Sequence, residues 1–238
     1  VQTCALPILT EALLARGWQV RALARSRVRP SADGDDQPRL TWVAGDALQA
    51  DDVRHAAEGA QVVVHAANPP GYQNWASLAM PMLSASMAAG QDQGGRLLLP
   101  GNVYNFGPDA GMCVTEDALQ HPLTRKGRVR QHMEQALHDA ADRQGLRSLV
   151  LRCGDFFGGD GPSSWFNTVM VRPAQSVRRG MDPHTPGVGH TWAYLPDAAR
   201  AAVRCLELDL AEPGRLAQAE RLHLRGHDLV DGWELDRK

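Results

Sequence analysis

Two of the three tyrosines in this chain of 238 residues stand where a phenol could do chemistry. Tyr104 lies in NVYNF and Tyr72 in NPPGYQNW, each just after an apolar run. A phenol at a strand end can exchange a proton with a substrate oxygen, or simply form a pocket wall. Other constellations point away from familiar chemistries. The nine histidines include no HExxH or comparable ligand spacing, so no metal is expected. Ser163 and Ser164 lack the GxSxG turn that exposes a hydrolase nucleophile. The four cysteines, Cys4, Cys113, Cys153 and Cys205, form no CxxC pair and read as reduced core thiols. RKGRVR (125–130) is basic, but it lacks interleaved aromatics for base stacking, and nucleic acid is not expected as a partner.

Composition sets the frame for these residues. Hydrophobic content of 43% and charged content of 22% are ordinary globular usage, and the net charge of -2 exerts no global pull on nucleic acid. No apolar run approaches the roughly 18 residues that span a bilayer, and no secretory layout opens the chain. The expectation is a cytoplasmic protein without a membrane partner. Length suits one sizeable α/β domain.

The elements alternate. A helix over 10–16 stops at Gly17 and leads to a strand over 18–25. A strand is predicted over 40–46, a short helix over 50–59 and a strand over 61–67, whose run QVVVHAA suits burial on both faces. A helix over 75–90, a strand over 95–101, a helix over 126–144 and a strand over 147–154 complete a repeated βαβ order. Parallel strands need such crossovers, so the pattern predicts a Rossmann-like doubly wound parallel sheet with ligands at the carboxyl ends of its strands. Beyond residue 155 come glycine- and proline-rich loops, a helix over 196–207 and a strand over 221–226. The reading divides the chain into a dinucleotide-binding part, 1–155, and a substrate-side lobe of the same domain, 156–238.

Five strand-end segments carry a resemblance. GDALQADDV, VVVHAANPP, LPGNVYNFG, LRCGDFFGG and HTWAYLPDAARAA occur in this order, and together resemble the extended and atypical short-chain dehydrogenase/reductase superfamily, the NAD-dependent epimerase/dehydratase group. The resemblance covers residues 10–226. It implies an α/β fold, a dinucleotide cofactor and a small-molecule substrate. It also implies a first strand and a GxxGxxG loop, in which glycines let the backbone approach the pyrophosphate at a helix N-terminus. The opening octet VQTCALPI holds no glycine and has Pro7 where that helix should start. Residues 1–8 are therefore read as non-native, at the edge of a truncated chain that would bind its cofactor weakly; the alternative is a divergent protein that discarded the loop.

Carried over residue by residue, the resemblance implies these roles. Arg25, with Arg27 close by, stands where NAD enzymes place an acidic residue, which favours NADP with NAD left open; a solvated surface arginine is the alternative. Asp46 matches the adenine-contacting aspartate, or is a turn residue. Ala66, Ala67 and Asn68 match the segment along the ribose and pyrophosphate. The family's Ser/Thr, Tyr and Lys triad falls on Asn102, Lys126 and Arg130, so all three positions are replaced. Lys126 could act as acid or base only if its pKa fell by several units, and Tyr104 or Tyr72 are the other proton donors. Tyr72, Asp155, Trp165, Trp192 and Tyr194 fall at positions that face or support substrate. Three functions stay open: an oxidoreductase or epimerase/dehydratase-like enzyme on a small carbonyl or sugar-nucleotide-like substrate, a non-catalytic dinucleotide-binding redox sensor, and a structural or interaction remnant. Relatives dimerise through two helices, here 75–89 and 126–144, which leaves a homodimer open beside ordinary core burial.

Overall fold

The computed structural model describes residues 5–25, 38–69, 73–111, 113–159, 164, 166–171 and 188–229. In chain order the elements are α1 (Ala5–Ala15), β1 (Val20–Ala24), β2 (Leu40–Ala44), α2 (Ala50–Ala57), β3 (Val62–Val64) and α3 (Trp75–Gln93). They continue with β4 (Arg96–Asn102), α4 (Arg125–Gln144), β5 (Arg147–Cys153), β6 (Asp155–Phe157), β7 (His190–Tyr194), α5 (Leu195–Ala211), β8 (Ala219–His223) and β9 (His227–Leu229).

Helix α1 starts earlier than the sequence reading places it. Pro7 is its third residue, a first-turn position where the missing N–H has no helical partner to lose. Ile8, Leu9 and Leu13 are buried, and they share a core cluster with Ala198, Ala202 and Leu206 of α5.

Among the described residues three sheets are formed. β1 and β2 pair in parallel; β3, β4, β5 and β8 form a parallel sheet in that order. In the third, β6 pairs parallel with β7 and β9 runs antiparallel to it. The apolar runs of β4 and β5 point alternately into two layers. Leu97, Leu99 and Val150 face α2, α3 and α4 through Ala57, Leu83 and Leu137. Leu98, Leu149 and Leu151 face α1 and α5. Helices on both faces explain why these strands are apolar throughout rather than alternating.

β1 and β3 feed the same two layers. Leu23 and Val63 pack into the first, Val20, Val62 and Val64 into the second. No hydrogen bond joins β1 to β3 among the described residues, so the main layer is continuous in packing but divided in its ladder.

Helix α4 begins where the Thr124 side chain accepts a hydrogen bond from the Gly127 N–H at 2.9 Å, and ends at Gly145 with φ +73°. Its exposed face carries Arg125, Lys126, Arg128, His132, Gln135 and His138, while Met133, Leu137 and Ala140 lie inside.

Candidate active site at the strand carboxyl ends

The carboxyl ends of β1 to β5 carry eight of the fourteen residues singled out above: Arg25, Asp46, Ala66, Ala67, Asn68, Asn102, Tyr104 and Asp155. Arg25 follows β1 directly and is exposed. Asp46 follows β2 and closes a turn: its Oδ1 accepts from the Leu48 N–H at 3.0 Å, and its own N–H donates to Asp52 Oδ2 at 2.8 Å. One oxygen of Asp46 thus makes the turn contact that its alternative reading requires. Ala66, Ala67 and Asn68 continue from β3 as irregular backbone; Ala66 is buried and the other two half-buried. Asn68 Oδ1 accepts from Trp75 Nε1 at 3.1 Å, which ties this segment to the start of α3.

The three triad-equivalent positions have separate surroundings. Asn102 ends β4, and its Oδ1 accepts from the Tyr104 N–H at 3.1 Å, so it shapes the turn that carries Tyr104. Lys126 is exposed on the first turn of α4. Arg130 is buried at 7% exposure, with its guanidinium 5.3 Å from the Trp75 ring centroid and Nη1 3.4 Å from the Pro100 carbonyl.

Tyr104 is the phenol brought to this rim. It is 36% exposed, and its hydroxyl donates to Asp155 Oδ1 at 3.3 Å. The other carboxylate oxygen, Oδ2, lies 2.9 Å from Nε2 of His190. Sequence reasoning missed His190: a lone histidine far along the chain has no spacing motif. Only the β6–β7 pairing, with Asp155 opposite Trp192, brings it to Asp155. The close approach depends on Gly154, where any Cβ would overlap the Thr191 carbonyl oxygen of β7.

Next to Tyr104, Asn105 is fully buried and donates through Nδ2 to Glu134 Oε1 at 2.9 Å. Glu134 also receives Arg152, whose Nη2 lies 2.6 Å from Oε2, and Gln120 at 2.9 Å. Arg152 also donates to the Glu116 carbonyl and lies 2.9 Å from His223 Nε2. Burial, reinforced by the Arg152 charge, lowers the His223 pKa. This buried network anchors the loop carrying Tyr104 to α4, β5 and β8.

Of the substrate-side positions, Asp155 is half-buried and Tyr194 exposed, its ring 5.4 Å from that of Phe157. Trp192, at 1% exposure, is a core residue of the third sheet, packed with Met170, Phe157 and Phe166. Tyr72 and Trp165 lie outside the described residues. An apolar recess lined by Leu9, Pro100, Cys153, Phe156, Leu195 and Ala199 lies beside β4 and β5. Among the described residues no cluster of three or more His, Cys, Asp or Glu could hold a metal, and no helix is long and apolar enough to cross a membrane.

These residues fit a dinucleotide along the ends of β1 to β3. Ala66 and Ala67 present little side chain beside an irregular backbone. Neighbouring His65 is buried with Nε2 lacking a hydrogen-bond partner. Helices on both faces of a parallel layer, with polar groups gathered at its carboxyl ends, define a Rossmann-type dinucleotide-binding protein. Residues 8–195 match the NAD(P)H-binding family, and the chain belongs to it.

No curated protein matches the sequence at a significant level. Solved structures do match in fold. The dTDP-glucose 4,6-dehydratase from Streptomyces venezuelae, solved with NAD, superposes with a TM-score of 0.71 at 18% identity over 95% of this chain and 74% of its own. The UDP-glucose 4-epimerase of Thermus thermophilus, in complex with NAD, gives 0.68 at 18% identity over 96% and 76%. The UDP-N-acetylglucosamine 4-epimerase of Bacillus cereus gives 0.71 at 14% identity over 96% and 76%. The chain thus shares the Rossmann fold of these enzymes and spans about three quarters of their length.

Proposed function

We propose that the protein is an NAD(P)-dependent oxidoreductase or epimerase-like enzyme acting on a small carbonyl or sugar-nucleotide substrate, with Tyr104 as its proton-exchanging group. The observation that carries this reading is the Tyr104 phenol, fixed by Asn102 at the end of β4 and hydrogen-bonded to Asp155 just past β5. Lys126 and Arg130 are poor substitutes. The first lies on an exposed helical turn, and the second is packed on Trp75.

Arg25, Asp46, Ala66, Ala67 and Asn68 would hold the dinucleotide, with Arg25 favouring the 2′-phosphate of NADP. When bound, the nicotinamide supplies or accepts a hydride at the substrate carbon. Tyr104 moves the matching proton at the substrate oxygen, and Asn102 keeps the phenol at the rim where a carbonyl can reach it. Asp155, bonded to the phenol, and Tyr194, at the end of β7, would orient the substrate.

NADPH oxidation, followed by its near-ultraviolet absorbance, tests this with 4-nitrobenzaldehyde; UDP-glucose, whose C4 alcohol can only give up a hydride, is tested with the oxidised cofactor by formation of its 4-epimer or keto product. Y104F is expected to lower kcat by about 10²-fold or more while KM stays within a few-fold. The absence of a Tyr/Lys pair on α4 favours a second reading, a dinucleotide-binding sensor. Tight NADPH binding with no turnover of either probe would establish that reading instead.

A further inference from the structure

We infer that His190 is a positioning residue for proton transfer, acting through Asp155 on Tyr104. This rests on the enzymatic reading above. The difficulty it resolves is electrostatic. Tyr104 donates its hydrogen bond to a carboxylate oxygen at 3.3 Å, so a phenol that gave its proton to substrate would become a phenolate facing a second anion. His190 is placed to remove that conflict, with Nε2 2.9 Å from the other oxygen of the same carboxylate.

The three side chains come from separate parts of the fold. Tyr104 follows β4, Asp155 opens β6 and His190 opens β7. In the register, Asp155 stands opposite Trp192, and His190 lies two residues before Trp192 on the same face of β7. The Trp192 ring, itself buried, lies 4.8 Å from the His190 ring and limits the orientations open to the imidazole. Neither Asp155 nor His190 is freely hydrated, since their side chains are 19% and 25% exposed. Tyr104 reaches solvent or substrate.

In the reducing direction the substrate C=O π bond breaks, its carbon gains a hydride from the reduced nicotinamide, and its oxygen gains the phenolic proton of Tyr104. The imidazole of His190, 2.9 Å from Asp155 Oδ2, offsets part of the carboxylate's charge, so the phenolate faces a carboxylate already held by a second partner. One proton has left the trio for the substrate, and its net charge has fallen by one. Exposed Tyr104 recovers a proton from water. Oxidation runs the same transfers backwards.

The test compares the parent with H190Q, D155N and Y104F by two readouts. The first is NADPH-dependent reduction of 4-nitrobenzaldehyde. Glutamine keeps an amide beside Asp155 but can never carry the positive charge of an imidazole, so H190Q is expected to lose at least tenfold in kcat with KM within threefold. H190G is expected to recover activity when imidazole is added, and Y104F is not. The second readout needs neither cofactor nor substrate: ring nitrogen resonances of 15N-histidine-labelled protein, where D155N is expected to shift His190 while leaving His138 in place. A kcat for H190Q within twofold of the parent, or His190 resonances unmoved by D155N, overturns the inference and leaves the enzymatic reading standing. A parent that turns over neither 4-nitrobenzaldehyde nor UDP-glucose, with the His190 shift intact, removes the enzymatic reading and the catalytic role of the trio together.

Discussion

His65 sits one residue past β3, buried at 3% exposure, with Nδ1 2.8 Å from Ser86 Oγ. Ser86 donates its own proton to the Met82 carbonyl at 3.3 Å, so the hydroxyl accepts from Nδ1–H and Nε2 is left as an acceptor. Burial, with the Arg130 charge adding to it, lowers the His65 pKa from 6.5 to about 3. In the unfolded chain the imidazole protonates below 6.5; in the folded chain it stays neutral until about 3. The unfolded state therefore binds more protons in this window, and stability falls as pH drops through it. Between pH 7.5 and 5 the loss from this one group is about 2 kcal/mol. Urea unfolding at the two pH values should show that difference shrinking by most of this amount in H65Q. An unchanged difference would mean that His65 is hydrated or charged in the native protein.

At the scale of elements, two helical glycines make opposite predictions. Gly127 lies in the first turn of α4, where a Cβ would overlap the Tyr104 carbonyl oxygen and come within 2.6 Å of Pro122 Cβ. Gly90 lies within α3, and its Cβ would meet Leu146 Cδ1 at 3.5 Å and Leu97 Cβ at 3.8 Å, ordinary contact distances. Alanine is favoured over glycine inside a helix by up to about 1 kcal/mol. G90A should therefore gain about 0.5–1 kcal/mol in denaturant unfolding. G127A should lose about 1–3 kcal/mol, because backbone must move to admit the methyl. G127A should also weaken NADPH turnover more than the stability loss explains, since the displaced segment carries Tyr104. The same elements show what the sequence could and could not reveal. QVVVHAA, RLLLPG and RSLVLRC are apolar without alternation, a signal strong enough to place β3, β4 and β5 and their parallel order. β6 and β9 have three residues each, too few for any period, and HTWAY, though Pro186, Gly187 and Gly189 precede it, does not alternate apolar with polar residues, so the third sheet was illegible. His190 was illegible with it, because its meeting with Asp155 exists only through that sheet's register. Asn102, Tyr104 and Asp155 could be named in advance since each follows a strand that the pattern does mark.

For the whole molecule, the divided ladder sets a difference in local stability. β4 and β5 are buried almost throughout, whereas β1 and β2 are half-buried or exposed along their length, with Trp42 at 42% exposure. Among the described residues β1 and β2 hydrogen-bond only to each other in the sheets, and are otherwise held through apolar contacts such as Leu23 and Val20 in the two core layers. Apolar burial resists global unfolding, but a two-stranded ribbon with few covered amides can open by itself. Native-state hydrogen exchange should therefore find the β1–β2 amides opening at a lower free energy than those of β4 and β5. A dinucleotide bound across the carboxyl ends of β1, β2 and β3 would link the two parts, because opening β1–β2 would release it. At NADPH tenfold above its Kd, the β1–β2 amides should gain about 1.4 kcal/mol of protection. Those of β4 and β5 should gain the same only where they exchange through global unfolding. Equal protection of all strands without ligand would show that the divided ladder opens as one unit. Failure of NADPH to protect β1–β2 would move the cofactor away from Arg25 and Asp46, and with it the preference for the 2′-phosphate.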